Sequence, residues 1–126
     1  MAMITEDYVS FETAKLLKEK GFDEECDCLY DNDAPGTPGL EIDRDIRCIN
    51  SYLDDSQYAA PTLQMAMKWL RKKHILIVLD VENFCAASWI YHIWCDDNIE
   101  ESHSDSFKTY EEACEAAIKY CLENLI

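Results

Sequence analysis

The chain has 126 residues, 48% of them hydrophobic, and carries 26 acidic against 11 basic residues for a net charge of −15. This composition excludes a disordered chain and suits a single domain over residues 1–126 with its own core. The charge argues against direct binding to nucleic acid or to anionic membrane, and no apolar run approaches the roughly 20 residues that span a bilayer. Basic protein partners, bound cations and solubility remain open as roles for the acidic residues.

The first element along the chain is a predicted helix over residues 11–20. Ser10 is a favourable N-cap, because its hydroxyl can accept a hydrogen bond from a backbone N–H of the first turn. Gly21 is a favourable residue just past the end, and Phe22 behind it can contact Leu17, as in a Schellman ending. Both ends of this helix are therefore specified by local chemistry.

Two strands and a loop are expected next. Apolar and polar residues alternate over residues 26–30, which predicts a short strand. Residues 31–39 contain two prolines and two glycines, which is typical of a loop. A second strand is predicted to begin at Leu40 and to extend toward Cys48. Residues 50–58 are expected to be an irregular lead-in to the next helix.

The central stretch predicts a helix followed by two strands. Pro61 suits the first turn of a helix, which should run through the basic residues up to His74. Residues 75–79 are apolar at every position, which indicates a strand covered on both faces. A turn is expected over residues 80–86, and the short connection favours an antiparallel pair with a strand over 89–95.

Side chains on that aromatic strand should alternate between two faces. One face would carry Trp89, Tyr91, Ile93 and Cys95, and the other Ile90, His92 and Trp94. Which of the two faces is exposed stays open at this point.

The last part of the chain predicts a solvated acidic loop over residues 96–106 and then a helix. Thr109 and Glu112 have the spacing of a capping box, and an apolar face continues nearly to the last residue. The predicted order is therefore α-β-β-α-β-β-α. It indicates an α+β fold, with one largely antiparallel sheet of about four strands and three helices.

Three segments together resemble a family of proteins. They are SFETAKLLKEKGF near the start, YAAPTLQMAMKWLR in the middle and YEEACEAAIKYCLENLI at the end. They are similar to a group of short acidic proteins encoded by gut anaerobes and their phages or mobile elements. The resemblance covers the helices and little of the strands. It implies an intracellular accessory protein and assigns a role to no individual residue.

Seven cysteines bear on the compartment and on metal binding. The odd number and the absence of a secretory leader pattern predict a cytoplasmic chain with reduced thiols. Zinc could be held by Cys26, Cys28, His92 and Cys95, although the spacings differ from those of known zinc ribbons. The alternative is that these side chains simply pack in and on the sheet. We therefore predict no metal ligands and no cofactor.

The sequence allows two enzymatic hypotheses as alternatives. Asp80 and Glu82, with Asp96 or Asp97, could hold magnesium at a strand end, as in a metal-dependent hydrolase or nuclease-like enzyme. Such an enzyme needs basic surface for its substrate, which this chain largely lacks. Cys85 could act as a thiol nucleophile, but the acidic chain does not favour a thiolate. No catalytic residue is predicted.

The aromatic residues favour a binding role. Trp89, Tyr91 and Trp94 place large rings on both faces of one strand, so a face left uncovered would form a partner site. The sequence thus predicts a small non-enzymatic interaction or regulatory protein, of phage or mobile-element origin. Its partner would be a protein, most simply a second copy of the chain. A further alternative is an acidic decoy that occupies a nucleic-acid-binding protein.

Overall fold

A computed structural model describes residues 6–32, 39–42, 48–83, 88–95, 98–102 and 105–126. The chain divides into two compact units, Met1–Thr62 and Leu63–Ile126. Over the described ranges, each unit contains one antiparallel sheet of three strands. The α+β class and the predicted order of elements are confirmed. The single sheet of about four strands is wrong, because two further strands are present and the strands divide between two sheets.

The first unit combines one helix with a small sheet. Its elements are α1 (Phe11–Glu19), β1 (Cys28–Asp31), β2 (Leu40–Ile42), a 3-10 turn (Asn50–Tyr52) and β3 (Gln57–Ala60). β1 lies in the middle of the sheet, between β2 and β3. β3 begins within the stretch predicted to be irregular and continues to Ala60; its short sequence has little intrinsic preference for a strand.

Both ends of α1 form as predicted. The Ser10 side chain accepts a hydrogen bond from the Thr13 N–H at 3.2 Å. At the other end the N–H of Phe22 donates to the Leu17 carbonyl at 2.9 Å, and that of Gly21 to the Lys18 carbonyl at 3.2 Å. These two bonds are the Schellman pattern, and Gly21 has the positive φ, 91°, that the pattern requires.

A buried amide fixes β3 in the first unit. The Asn50 side chain donates to the Phe22 carbonyl at 2.8 Å and accepts from the Ala59 N–H at 2.9 Å. Asn50 is 7% exposed, so both backbone groups would lack water if the amide were removed. One side chain therefore joins the end of α1 to the strand that the sequence did not predict.

The second unit places two helices against a three-stranded sheet. Its elements are α2 (Leu63–Lys72), β4 (Ile75–Asn83), β5 (Ser88–Cys95), β6 (Asn98–Ser102) and α3 (Tyr110–Asn124). The sheet order is β4-β5-β6, and neighbouring strands are antiparallel. β6 lies in the predicted acidic loop. The turn predicted over residues 80–86 is wrong for residues 80–83, which belong to β4, and residues 84–87 lie outside the described ranges.

The boundaries of α2 differ slightly from the prediction. Pro61 precedes the helix, and its carbonyl accepts from the Val9 N–H at 3.0 Å. After Lys72 the chain turns sharply, since His74 adopts a left-handed conformation with φ 65°. β4 then begins at the next residue. The basic end of α2 and the start of β4 are thus separated by two residues only.

The helices cover one face of the second sheet. Both α2 and α3 contact β4, α3 contacts β5, and the two helices contact each other. Ile75, Ile77, Tyr91 and Ile93 are buried on that side. The expectation that β4 is covered on both faces is wrong, because Leu76 and Val78 are 44% and 38% exposed.

Candidate protein-interaction face

The face of the second sheet opposite the helices is the candidate site. In the antiparallel register of β4 and β5, three pairs of residues lie directly opposite one another on this side. They are Leu76 with Trp94, Val78 with His92, and Asp80 with Ile90. We call these six residues the open face.

The open face has an apolar end and a polar end. Leu76, Val78 and Trp94 are adjacent, and each of these residues is more than a third exposed. Toward the other end, the His92 Nε2 lies 3.9 Å from the Asp80 Oδ2, which is too long for a direct hydrogen bond. A tryptophan with two aliphatic neighbours, bordered by ionisable groups, has the composition of a protein contact surface.

The three residues predicted to bind a partner lie in different surroundings in the structure. Tyr91 is 3% exposed and its ring stacks on Phe107 at 6.2 Å between centroids. The Trp89 ring meets the Tyr110 ring edge-on at 5.4 Å, and its backbone pairs with Phe107. Tyr91 therefore belongs to the core of the second unit, and Trp89, which is partly exposed, packs against the Tyr110 ring. Of the three residues only Trp94 lies on the open face.

The candidate zinc ligands do not form a cluster among the described residues. Cys26 and Cys28 belong to the first unit, and His92 and Cys95 to the second. His92 and Cys95 also point to opposite faces of β5, as their odd spacing requires. Over the described part of the chain, no group of three histidine, cysteine, aspartate or glutamate side chains is arranged to hold a metal ion.

Three buried thiols are poor nucleophiles. Burial raises the pKa of Cys26, Cys114 and Cys121 to about 12, because an ionised sulfur would lose its hydration. The Cys26 thiol also donates to the Glu24 carbonyl at 3.5 Å. Thiols with such a raised pKa hold little thiolate at neutral pH. Cys85, the nucleophile considered from the sequence, lies outside the described residues.

The carboxylates considered as magnesium ligands lie on a surface strand. Asp80 is in the middle of β4 rather than at the end of a buried strand, and its side chain is 62% exposed. One of its oxygens accepts the N–H of Val81 at 2.8 Å. Glu82 shares the same side of the strand and accepts from the Ser88 hydroxyl at 3.4 Å. Asp96 and Asp97 lie outside the described residues.

Comparison with known proteins gives no family assignment: no family model, curated protein or solved structure matches the chain. Within the described ranges, no helix is both long enough and apolar enough to cross a bilayer.

The sequence contains part of the signal for this face. The run over 75–79 is apolar throughout, which predicts core positions for Leu76 and Val78. Asp80 and Glu82 continue the same alternation as Leu76 and Val78, and two charges at that spacing indicate a solvent-facing side. A predicted strand that includes Asp80 and Glu82 therefore places Leu76 and Val78 on the solvent-facing side, which is the open face.

Proposed function

We propose that this chain is a small, non-enzymatic interaction or regulatory protein that contacts a protein partner through the open face. The observation that carries the proposal is the exposure of Leu76, Val78 and Trp94 as adjacent residues on one side of a sheet. Scattered single apolar residues are normal on protein surfaces, but contiguous ones are typical of interaction sites.

The chemistry of the face supports a protein rather than a small molecule as its ligand. Small-molecule sites are concave and surround most of the ligand, whereas the side of this sheet opposite the described helices of the second unit presents a broad contact area. Tryptophan is among the residues that most often dominate binding energy when a partner buries them. Asp80 and His92 at the border could form hydrogen bonds that fix the orientation of the partner.

The proposal also includes a cytoplasmic location and an origin in a phage or mobile element. The six described cysteines are all thiols, which suits a reducing compartment. The origin rests on the resemblance of the three helical segments to the short acidic proteins of gut anaerobes and their mobile elements. A regulatory role through contact with a host or phage protein agrees with both.

Affinity capture with matched variants tests this proposal. Tagged wild type, Trp94→Ser and Tyr52→Ser would each be used to capture proteins from a gut-anaerobe lysate, followed by mass spectrometry. Tyr52 is a suitable control because it is an exposed aromatic residue, 65% exposed, in the other unit.

The expected result is a protein captured by wild type and by Tyr52→Ser but lost with Trp94→Ser. With purified partner, Trp94→Ser should bind roughly thirtyfold more weakly, as for other buried tryptophan contacts. The same set of captured proteins from all three baits would contradict the proposal, because the open face would then make no contribution to binding.

A further inference from the structure

β4 is an edge strand with little protection against pairing. The order of the sheet is β4-β5-β6, so among the described residues β5 is the one strand beside β4. β4 is nine residues long and contains no lysine or proline, and its charged side chains and its register irregularity, which also protect edges, all come after Leu79. Its first five residues, Ile75 to Leu79, are apolar. An edge of this kind can accept a further strand by backbone hydrogen bonding.

The charges around β4 favour an antiparallel partner with the same sequence. Arg71, Lys72, Lys73 and His74 come directly before the strand, and all are exposed. Asp80 and Glu82, also exposed, lie near its end. Antiparallel pairing of two copies would place the basic start of each strand beside the acidic end of the other. Parallel pairing would instead oppose like charges, which is destabilising.

The side-chain pattern selects one register. Residues directly opposite each other in an antiparallel pair point to the same face of the sheet. A symmetric pair of identical strands meets this condition only if its two-fold axis passes through one residue, which then lies opposite its own copy. Centring on Ile77 places Leu76 opposite Val78 of the second copy and Ile75 opposite Leu79 of the second copy. Moving the centre by one residue, to Val78, would instead place Leu76 opposite Asp80. The register centred on Ile77 therefore matches every residue from Ile75 to Leu79 with an apolar residue of the second copy.

We propose that the partner of the second unit is a second copy of this chain, joined through antiparallel pairing of β4 in the register centred on Ile77. The inference goes beyond the proposed function, because the pairing uses the backbone edge of β4 and leaves the open face accessible to another protein. The two sheets would form one sheet of six strands, counting those in the described ranges. Its open side would carry the row Trp94, Leu76, then Val78 and His92 of the second copy. Leu76 and Val78, now exposed, would each gain a neighbouring strand.

Charge-pair variants test both the partner and the register by sedimentation equilibrium. Leu76→Glu and Val78→Lys each place a charge opposite an apolar residue and should weaken the dimer about tenfold, since each change occurs twice across the symmetry axis. The double variant, Leu76→Glu with Val78→Lys, places a glutamate opposite a lysine of the second copy, twice. It also keeps the wild-type net charge. It should therefore form a tighter dimer than either single variant.

Two additional variants are the controls. The exchanged double variant, Leu76→Lys with Val78→Glu, has the same pairing and should also dimerise. The double variant Leu76→Glu with Val78→Glu opposes like charges and should be monomeric.

Circular dichroism checks that each variant folds. Hydrogen exchange gives a test without substitutions: the β4 amides of wild type should exchange more slowly at higher protein concentration.

Two results would overturn the inference. One is a wild-type chain that stays monomeric at the highest concentration reached. The other is a double variant, Leu76→Glu with Val78→Lys, that associates more weakly than both single variants, as expected for two open faces packed against each other. Neither result removes the proposed function, because capture of another protein that depends on Trp94 would still support it.

Discussion

Leu76 lies directly opposite Trp94 in the pair of β4 and β5, and both side chains remain exposed, at 44% and 39%. The adjacent pair, Ile77 and Ile93, is buried at 8% and 0%. Successive side chains of a strand point to opposite faces, so one step along β4 separates the core of the second unit from its candidate binding surface. The two pairs can therefore be tested against each other.

Truncation of these two pairs should have very different effects on stability. Ile93→Ala is expected to lower the free energy of unfolding by about 2–5 kcal/mol, because it leaves a cavity beneath the helices. Leu76→Ala, on the open face, is expected to lower it by less than about 1 kcal/mol. Urea denaturation of both variants checks this, at a protein concentration low enough to avoid association. Equal losses would mean that the open face is covered in solution.

The sequence was sufficient for elements with strong local signals. Ser10, Gly21 and Thr109 predicted helix ends that the structure confirms, because capping depends on a few neighbouring residues. The alternation along β5 correctly predicted two faces with Tyr91 and Ile93 on the same side.

Strands that depend on pairing could not be predicted in the same way. β3 and β6 have short or acidic sequences, and they become strands because β1 and β5 provide hydrogen-bonding partners. The sequence also could not distinguish a core strand from an exposed apolar one at Leu76 and Val78. An apolar residue kept at the surface departs from the usual pattern, and such departures are expected where a protein has a functional site.

Removal of the Asn50 side chain should destabilise the first unit. Asn50→Ala leaves the Phe22 carbonyl and the Ala59 N–H buried without their partner, and the expected loss is about 2–4 kcal/mol. Ser51→Ala is the matched control, since Ser51 is exposed and its backbone N–H would still donate to Asp23. Urea denaturation followed by circular dichroism measures both. Similar stability of the two variants would show that water replaces the amide.

The positive φ of Gly21 gives a test of the helix ending. Gly21→Ala meets no atom within 4 Å of the added Cβ, so a loss of stability would come from the backbone conformation alone. A loss of about 1–2 kcal/mol is expected for a left-handed alanine. Gly39→Ala is the control, because its surroundings are equally open and its φ is not in the left-handed range. The melting temperatures should fall for the first variant and stay unchanged for the second.

Salt should strengthen the dimer proposed above. Each chain carries a net charge of −15, so two copies repel each other over long distances. Raising the ionic strength from about 0.01 M to about 0.15 M shortens the screening length from about 30 Å to about 8 Å. This screening removes most of the long-range repulsion between the two chains. It weakens less the short-range attraction between the basic start of β4 in one copy and its acidic end in the other. Sedimentation at both ionic strengths should show tighter association at the higher one, and the opposite trend would indicate that ion pairs dominate.

Alkaline pH should destabilise the second unit through its buried cysteines. Burial raises the pKa of Cys114 and of Cys121 from the ordinary value of 9.0 to about 12. Above pH 9.0 the unfolded chain therefore releases protons that the folded chain still holds, and the free energy of unfolding must fall. The contribution of the two neutral thiols is fully present below that pH and is lost as the pH rises toward about 12.

Urea denaturation between about pH 8 and about pH 11 measures this loss. The double variant Cys114→Ala with Cys121→Ala should show a shallower decline over the same interval, because it has no thiol to ionise at either position. Ala117→Gly is the matched control: it also alters the buried side of α3 and keeps both thiols, so it should lower stability at every pH without changing the slope. An equal slope in the double variant and in wild type would show that other groups cause the alkaline loss.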